Sequence, residues 1–193
     1  VAFTQVAPLT LEELEARLKS LEARNENLKR APRRDQRIPL LATEFDLEDA
    51  IFPPAVRVYR DSNQTIPTAT NASLSFNQER FDTDTMHDTS TNPTRLTATT
   101  AGIYAISGNL RWAANATGKR LLNVQLDGST IIAEVQIDPT AGIRSQCIST
   151  LYSLSVGQYV RLRVFQNSGG DLVVVSEGNF SPEFSMVRQA PPP

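Results

Sequence analysis

The chain has 193 residues, a formal net charge of −2, 21% charged residues and a single cysteine. That length leaves room for one globular domain of about 140 residues with a true core beside a smaller segment, while the near-neutral charge gives no overall drive toward nucleic acid or an anionic membrane. One cysteine excludes an intrachain disulfide, and no apolar run is long enough to span a bilayer, so no membrane insertion is expected.

In chain order the sequence reads as a docking arm (1–9), a coiled-coil stalk (10–30), a Pro-rich linker (31–54), a β-rich head (55–188) and a short tail (189–193). Thr10 and Glu13 have the spacing of a capping box, which satisfies two N–H groups at a helix start. A heptad register then places Leu11, Leu18 and Asn25 at a, and Leu14, Leu21 and Leu28 at d, the 3.5-residue spacing of a left-handed supercoil. Asn25 costs stability at the seam and fixes register. Arg17 at g and Glu22 at the following e flank Leu18 and Leu21, an arrangement that resembles the trimerisation signature of short coiled coils. The alternative is an amphipathic helix packed on the head. Three heptads alone are marginal, so association needs help from elsewhere.

Residues 29–54, from the end of the stalk through the linker, carry a basic stretch (Lys29, Arg30, Arg33, Arg34, Arg37) and an acidic one (Glu44, Asp46, Glu48, Asp49). No aromatic residues are interleaved in the basic stretch to stack bases, so it reads as a solvated linker or a contact with an acidic neighbour rather than a nucleic-acid site. Leu40, Leu41, Phe45, Leu47, Ile51 and Phe52 are too apolar for a free linker and are expected to pack on the base of the head or on an adjacent subunit.

From residue 55 the apolar pattern has period two, with turn residues every eight to twelve positions. Strands are expected at 55–60, 72–76, 95–99, 103–112, 122–126, 130–135, 143–152, 160–164, 172–175 and 183–187. Asp127-Gly128 marks a hairpin, because glycine accepts positive φ. The inward positions Tyr104, Ile106, Leu110, Trp112, Val124, Leu162, Val164 and Phe184 form the expected core, and Cys147 is expected to be a small buried apolar residue. The fold class is mainly β: an antiparallel jelly-roll sandwich of about ten strands behind an α-helical coiled-coil stalk.

Catalytic constellations are missing from the sequence. The single histidine, His87, stands with Asp82, Asp84 and Asp88 in a possible loop site. The calcium-loop pattern is absent and no second His or Cys stands at ligand spacing, so the loop is expected to cap backbone groups or line the trimer contact, with no metal and no cofactor. No Gly-x-Ser-x-Gly motif accompanies the histidine. Thr117-Gly118-Lys119-Arg120 lacks the first glycine and the terminal Ser or Thr of a phosphate loop, and reads as a turn. Loops 113–119, 138–142 and 167–171 are small and polar, as recognition loops often are.

Arg95-Leu96-Thr97, Ala101-Gly102-Ile103-Tyr104-Ala105-Ile106 and Leu122-Asn123-Val124-Gln125-Leu126-Asp127-Gly128 together resemble the globular head of complement component 1q and its tumour-necrosis-factor-like relatives. Ile106 stands where that family usually has an aromatic residue. Phe81-Asp82-Thr83-Asp84, Met86-His87-Asp88, Asn92, Arg95 and Ser181-Pro182-Glu183-Phe184-Ser185-Met186 are similar to heads of bacterial and bacteriophage proteins. The resemblance implies a homotrimeric, non-enzymatic virion protein, a head fibre or decoration or a tail appendage, at the virion surface after assembly in the host cytoplasm. Its partners would be other virion proteins, reached through the N-terminal arm and linker. The alternative is a receptor-binding or adhesive module for a host cell-surface glycan or protein.

Overall fold

A computed structural model of the chain divides into two units, Val1–Thr43 and Glu44–Pro193, and describes residues 10, 12–13, 15–20, 22 and 52–193. In the first unit residues 12–13, 15–20 and 22 are helical. The start is capped reciprocally: the Thr10 N–H donates to Glu13 Oε2 (2.8 Å) and the Glu13 N–H to Thr10 Oγ1 (3.3 Å). Arg17, Leu18 and Glu22 are exposed. The other seam positions, Leu11, Leu14, Leu21, Asn25 and Leu28, lie outside the described residues, as do the docking arm and the linker through residue 51.

The second unit holds twelve strands: β1 (Ala55–Tyr59), β2 (Gln64–Ile66), β3 (Thr70–Ser73), β4 (Gln78–Asp82), β5 (Leu96–Thr97), β6 (Gly102–Trp112), β7 (Arg120–Leu126), β8 (Thr130–Ile137), β9 (Arg144–Leu154), β10 (Tyr159–Gln166), β11 (Leu172–Val174) and β12 (Glu183–Ala190). The count exceeds the expected ten because β2 and β4 carry no alternation of their own. β2 has three residues and β4 reads Gln-Glu-Arg-Phe-Asp, a charged strand at a sheet edge, where polar side chains are the rule. The strands form two antiparallel sheets. The larger runs β2-β11-β6-β12-β1-β4 with β9 on the other side of β6, and the smaller runs β3-β10-β7-β8 with β5 also on β10.

The eight inward positions named from the sequence are all at most 1% exposed. They come from both sheets and meet in one core, where the Phe76 and Phe184 rings stack at 5.8 Å. Buried polar groups are joined in small networks. The Trp112 indole N–H donates to Gln146 Oε1 (2.7 Å), and Gln146 Nε2 donates to Arg120 O (3.3 Å) and Val135 O (3.1 Å). Gln166 donates to Ile66 O and Gly170 O and accepts from the N–H and hydroxyl of Ser168. The expectation for Cys147 is overturned: it is exposed, while Gln146 and Ile148 are buried. The phase of β9 follows the acceptor that Trp112 needs inside, so the cysteine takes the outer face.

The Leu126-Asp127-Gly128-Ser129 turn has φ of 46° at Asp127 and 73° at Gly128, with the Ser129 N–H bonded to Leu126 O (3.1 Å), the primed geometry that matches strand twist. Gly108 faces inward, and a β-carbon there would stand 2.7 Å from Leu162 Cδ2 and closer still to Cδ1. Gly108→Val should therefore destabilise the head by about 1–3 kcal/mol through overpacking. Leu162→Ala should cost about 2–5 kcal/mol alone but much less than additively in the double variant. Urea unfolding of the four proteins checks this; strict additivity would show that the two sites do not touch.

Candidate functional site

The outward face of the larger sheet is assembled row by row by strand register. Leu151, Ala105, Val187 and Ala55 are cross-strand neighbours on β9, β6, β12 and β1. The next row is Ser149, Ser107, Ser185, Arg57 and Phe81, and the third begins Cys147, Asn109, Glu183 and Tyr59. An apolar row thus borders a hydroxyl row, and together they line a groove of about 640 Å³. Leu151 and Phe81, at opposite margins of this face, are 65% and 47% exposed.

Within the third row lies a buried carboxylate. Glu183 is 2% exposed and accepts from Arg57 Nε (2.6 Å) and Nη2 and from Arg80 Nε (3.2 Å) and Nη2 (3.1 Å). The Arg80 guanidinium also lies 3.8 Å from the Tyr59 ring centroid. The same arginines reach Asn179 O and Gly178 O, Asn109 donates to Phe180 O, and Arg111 pairs with Glu177. Charged groups of the sheet thereby hold loop 175–182, which contains a cis Ser181-Pro182 bond, against its outer face.

Loop 82–88 is organised by Asp82, whose Oδ1 accepts the N–H groups of Asp84 (3.1 Å) and Met86 (3.0 Å) and whose Oδ2 accepts that of His87 (2.9 Å). Asp84 accepts from the Thr99 hydroxyl. The His87 ring is buried and its Nδ1–H faces Glu79 Oε1 at 2.9 Å. Asp88 Oδ1 accepts from the N–H groups of Thr91 and Ser90 and from the Ser90 hydroxyl. These four side chains diverge to four sets of partners, and among the described residues no group of three His, Cys, Asp or Glu could hold a metal.

Loops 113–119, 138–142 and 167–171 all lie beyond the Trp112 end of β6, whereas Ala55 and Ala190 lie at its Gly102 end. The buried Arg120 stiffens the first of them, donating to the carbonyls of Thr117 (3.0 Å), Lys119 (3.0 Å) and Asn115 (3.3 Å) beside the Trp112 ring. Sequence reasoning missed the outer row and the Glu183 clamp. Its signal was present in β9, where Leu151 is the one large apolar residue in the phase of Ser145, Cys147, Ser149 and Ser153.

Two antiparallel sheets with this order define a jelly-roll sandwich of the tumour-necrosis-factor-like kind. No protein-family model matches the chain, and no curated protein matches it. Among solved structures, Eiger TNF from S. frugiperda superposes with a TM-score of 0.56 at 11% identity, covering 73% of this chain and 95% of that one. Murine APRIL does so with a TM-score of 0.55 at 10% identity, covering 71% of this chain and 99% of that one. At such identities the likeness shows the fold alone.

Glu183→Gln should cost about 1.5–3 kcal/mol, the range for hydrogen bonds to charged groups, and should speed hydrogen exchange at the Glu177 and Phe180 amides. Unchanged exchange there would separate the clamp from the loop. The backbone N–H groups of Thr91 and Ser90, with the Ser90 hydroxyl, hold the Asp88 carboxyl well below the usual carboxylate range. Its stabilisation is therefore complete above the unfolded value of about 3.9 and is lost as pH falls through the folded one. Asp88→Asn should flatten the acid limb of a melting-temperature profile, and an unaltered limb would count against the assignment.

Proposed function

We propose that the chain is a non-enzymatic, homotrimeric virion structural protein, a head fibre, capsid decoration or tail appendage that displays its jelly-roll head on the particle surface. The observation that carries the association is the apolar row Leu151, Ala105, Val187 and Ala55, with Phe81 beyond it, on the part of the sheet face that loop 175–182 leaves open among the described residues. Because the two large apolar groups stand at opposite margins, the β4 margin of one copy fits the β9 margin of the next. Such head-to-tail contacts form a ring when the rotation between copies closes, as a threefold rotation does. Three is the copy number that Arg17, Leu18, Leu21 and Glu22 favour and that domains of this fold typically adopt.

Heads and stalk then share the work of association, since three heptads are marginal alone and linked modules raise one another's local concentration. The exposed Leu18 of the capped helix, 58% exposed in the single chain, is one residue of the proposed seam. The virion assignment is supported by the pattern of residues 81–95 and 181–186, similar to heads of bacterial and bacteriophage proteins, and by a heptad segment preceding the head. Residues 1–9 and the linker would dock other virion proteins. A receptor-binding reading is favoured by the three small polar loops gathered at the end opposite Ala55.

Light scattering on the full chain should give about three times the 21.3 kDa chain mass. Leu151→Asp combined with Phe81→Ser should shift the protein toward monomer without lowering the thermal midpoint of the head, because both side chains are exposed in the single chain. A trimer that survives this change and is lost only in Leu18→Asp, Leu21→Asp would place the association in the stalk. Particles lacking the protein should assemble and still adsorb if it decorates the capsid; lost adsorption would favour the receptor-binding reading.

A further inference from the structure

The outer face of the smaller sheet carries a different chemistry. Along β10 the outward positions are Tyr159, Arg161, Arg163 and Phe165, because Val160, Leu162, Val164 and Gln166 are buried. Arg95 and Arg161 each lie 4.8 Å from the Tyr159 ring centroid, and Lys119 lies 5.8 Å from that of Phe165. The cross-strand neighbours of Arg161 and Arg163 on β7 are Gln125 and Asn123, each 4% exposed, so the strip has a floor of buried amides. Two polar atoms in this patch, Asn123 Oδ1 and Arg161 Nε, are buried and have no hydrogen-bond partner among the described residues.

Among the described residues no carboxylate pairs with the cations of the strip. The ion pairs of the head's described residues join Arg57 and Arg80 to Glu183, His87 to Glu79 and Arg111 to Glu177, and none includes Arg95, Lys119, Arg161 or Arg163. The carboxylate at the Tyr159 end, Asp127, accepts from the Tyr159 N–H (3.0 Å) and Gln158 Nε2 (2.9 Å). Glu134, opposite Asn123 on β8, marks the strip's exposed margin. In a chain of net charge −2, these cations are gathered along one strand over about 20 Å, with the two β10 arginines about 7 Å apart.

We propose that this strip docks an extended polyanionic glycan, a polysaccharide bearing carboxylate, sulfate or phosphate groups at intervals. Arginine forks bind such groups bidentately, and guanidiniums already rested on an aromatic ring lose less rotamer freedom on binding. Single-stranded nucleic acid fits less well, because base stacking needs uncovered rings and the Tyr159 ring already carries two guanidiniums. The face is on the opposite side of the sandwich from the apolar row, so the proposal does not rest on the trimer reading and its site stays open in either oligomeric state.

The test is calorimetric titration of the full chain with polygalacturonate and with dextran sulfate, against neutral dextran and single-stranded oligothymidylate, between about 50 and about 200 mM salt. Expected are binding of at least one acidic glycan, none of neutral dextran, and weaker binding at high salt. Arg161→Gln with Arg163→Gln should weaken glycan binding by at least about tenfold and flatten its salt dependence at an unchanged melting temperature and oligomer mass. Tyr159→Leu, which changes no charge but removes the ring shared by Arg95 and Arg161, should weaken it several-fold. No glycan binding, or equal binding by the double variant, would overturn the proposal. So would oligothymidylate binding as tightly as the glycans, or a loss produced instead by Arg33→Gln with Arg34→Gln, which would move the site to the basic linker.

Discussion

A close approach of the two sheets, where Gly108 of β6 faces Leu162 of β10, is the constraint from which much of the head follows. With no side chain at 108, the leucine fills the gap between layers, and the neighbouring inward positions are left for large residues. Phe184, the cross-strand partner of Gly108, turns to stack on Phe76. A branched residue at 108 would push the layers apart and leave those rings without contacts, because interiors are packed as tightly as organic crystals. The same placement fixes the phase of β6, which decides that Ala105, Ser107 and Asn109 look outward.

Gln146, Gln166 and Arg120 are tolerated inside the sandwich because their polar atoms are spent. Gln146 and Gln166 exchange hydrogen bonds with main-chain groups that would otherwise be orphaned, and Arg120 does so with three carbonyls of one loop. A buried cation without a carboxylate is costly unless its donors are all directed at fixed acceptors. Here the acceptors belong to the loop end of the head, so that end is held by the core rather than by contacts among loops. On the outer face of the larger sheet the clamp of Glu183 has the same logic with the sign reversed.

Much of this architecture was legible in the chain. Strands with strict alternation, such as β6 and β10, and the Asp127-Gly128 hairpin declare themselves, because burial on one face writes a period of two into the sequence. The capping box of Thr10 and Glu13 was equally plain. What escaped was set by tertiary context. The short β2 and the charged edge strand β4 bury too little to leave a pattern, and the phase of β9 is decided by the hydrogen-bond demand of Trp112, a partner 34 residues away. For the same reason Glu183 gave no sign of its two arginines: Arg57 and Arg80 are 126 and 103 residues distant. Loop 82–88 showed its residue types but not their directions, which diverge.

Trp112 has a consequence of another kind. It is the chain's single tryptophan, it is completely buried, and its surroundings combine a guanidinium beside the ring with an amide acceptor at the indole nitrogen. Its fluorescence is therefore an optical signal from one address, the junction of β6, β7 and β9 behind the loop end. Events at the Gly102 end or along the outer rows reach that signal only by disturbing the junction itself, so the molecule carries its own reporter for the integrity of one end of its head.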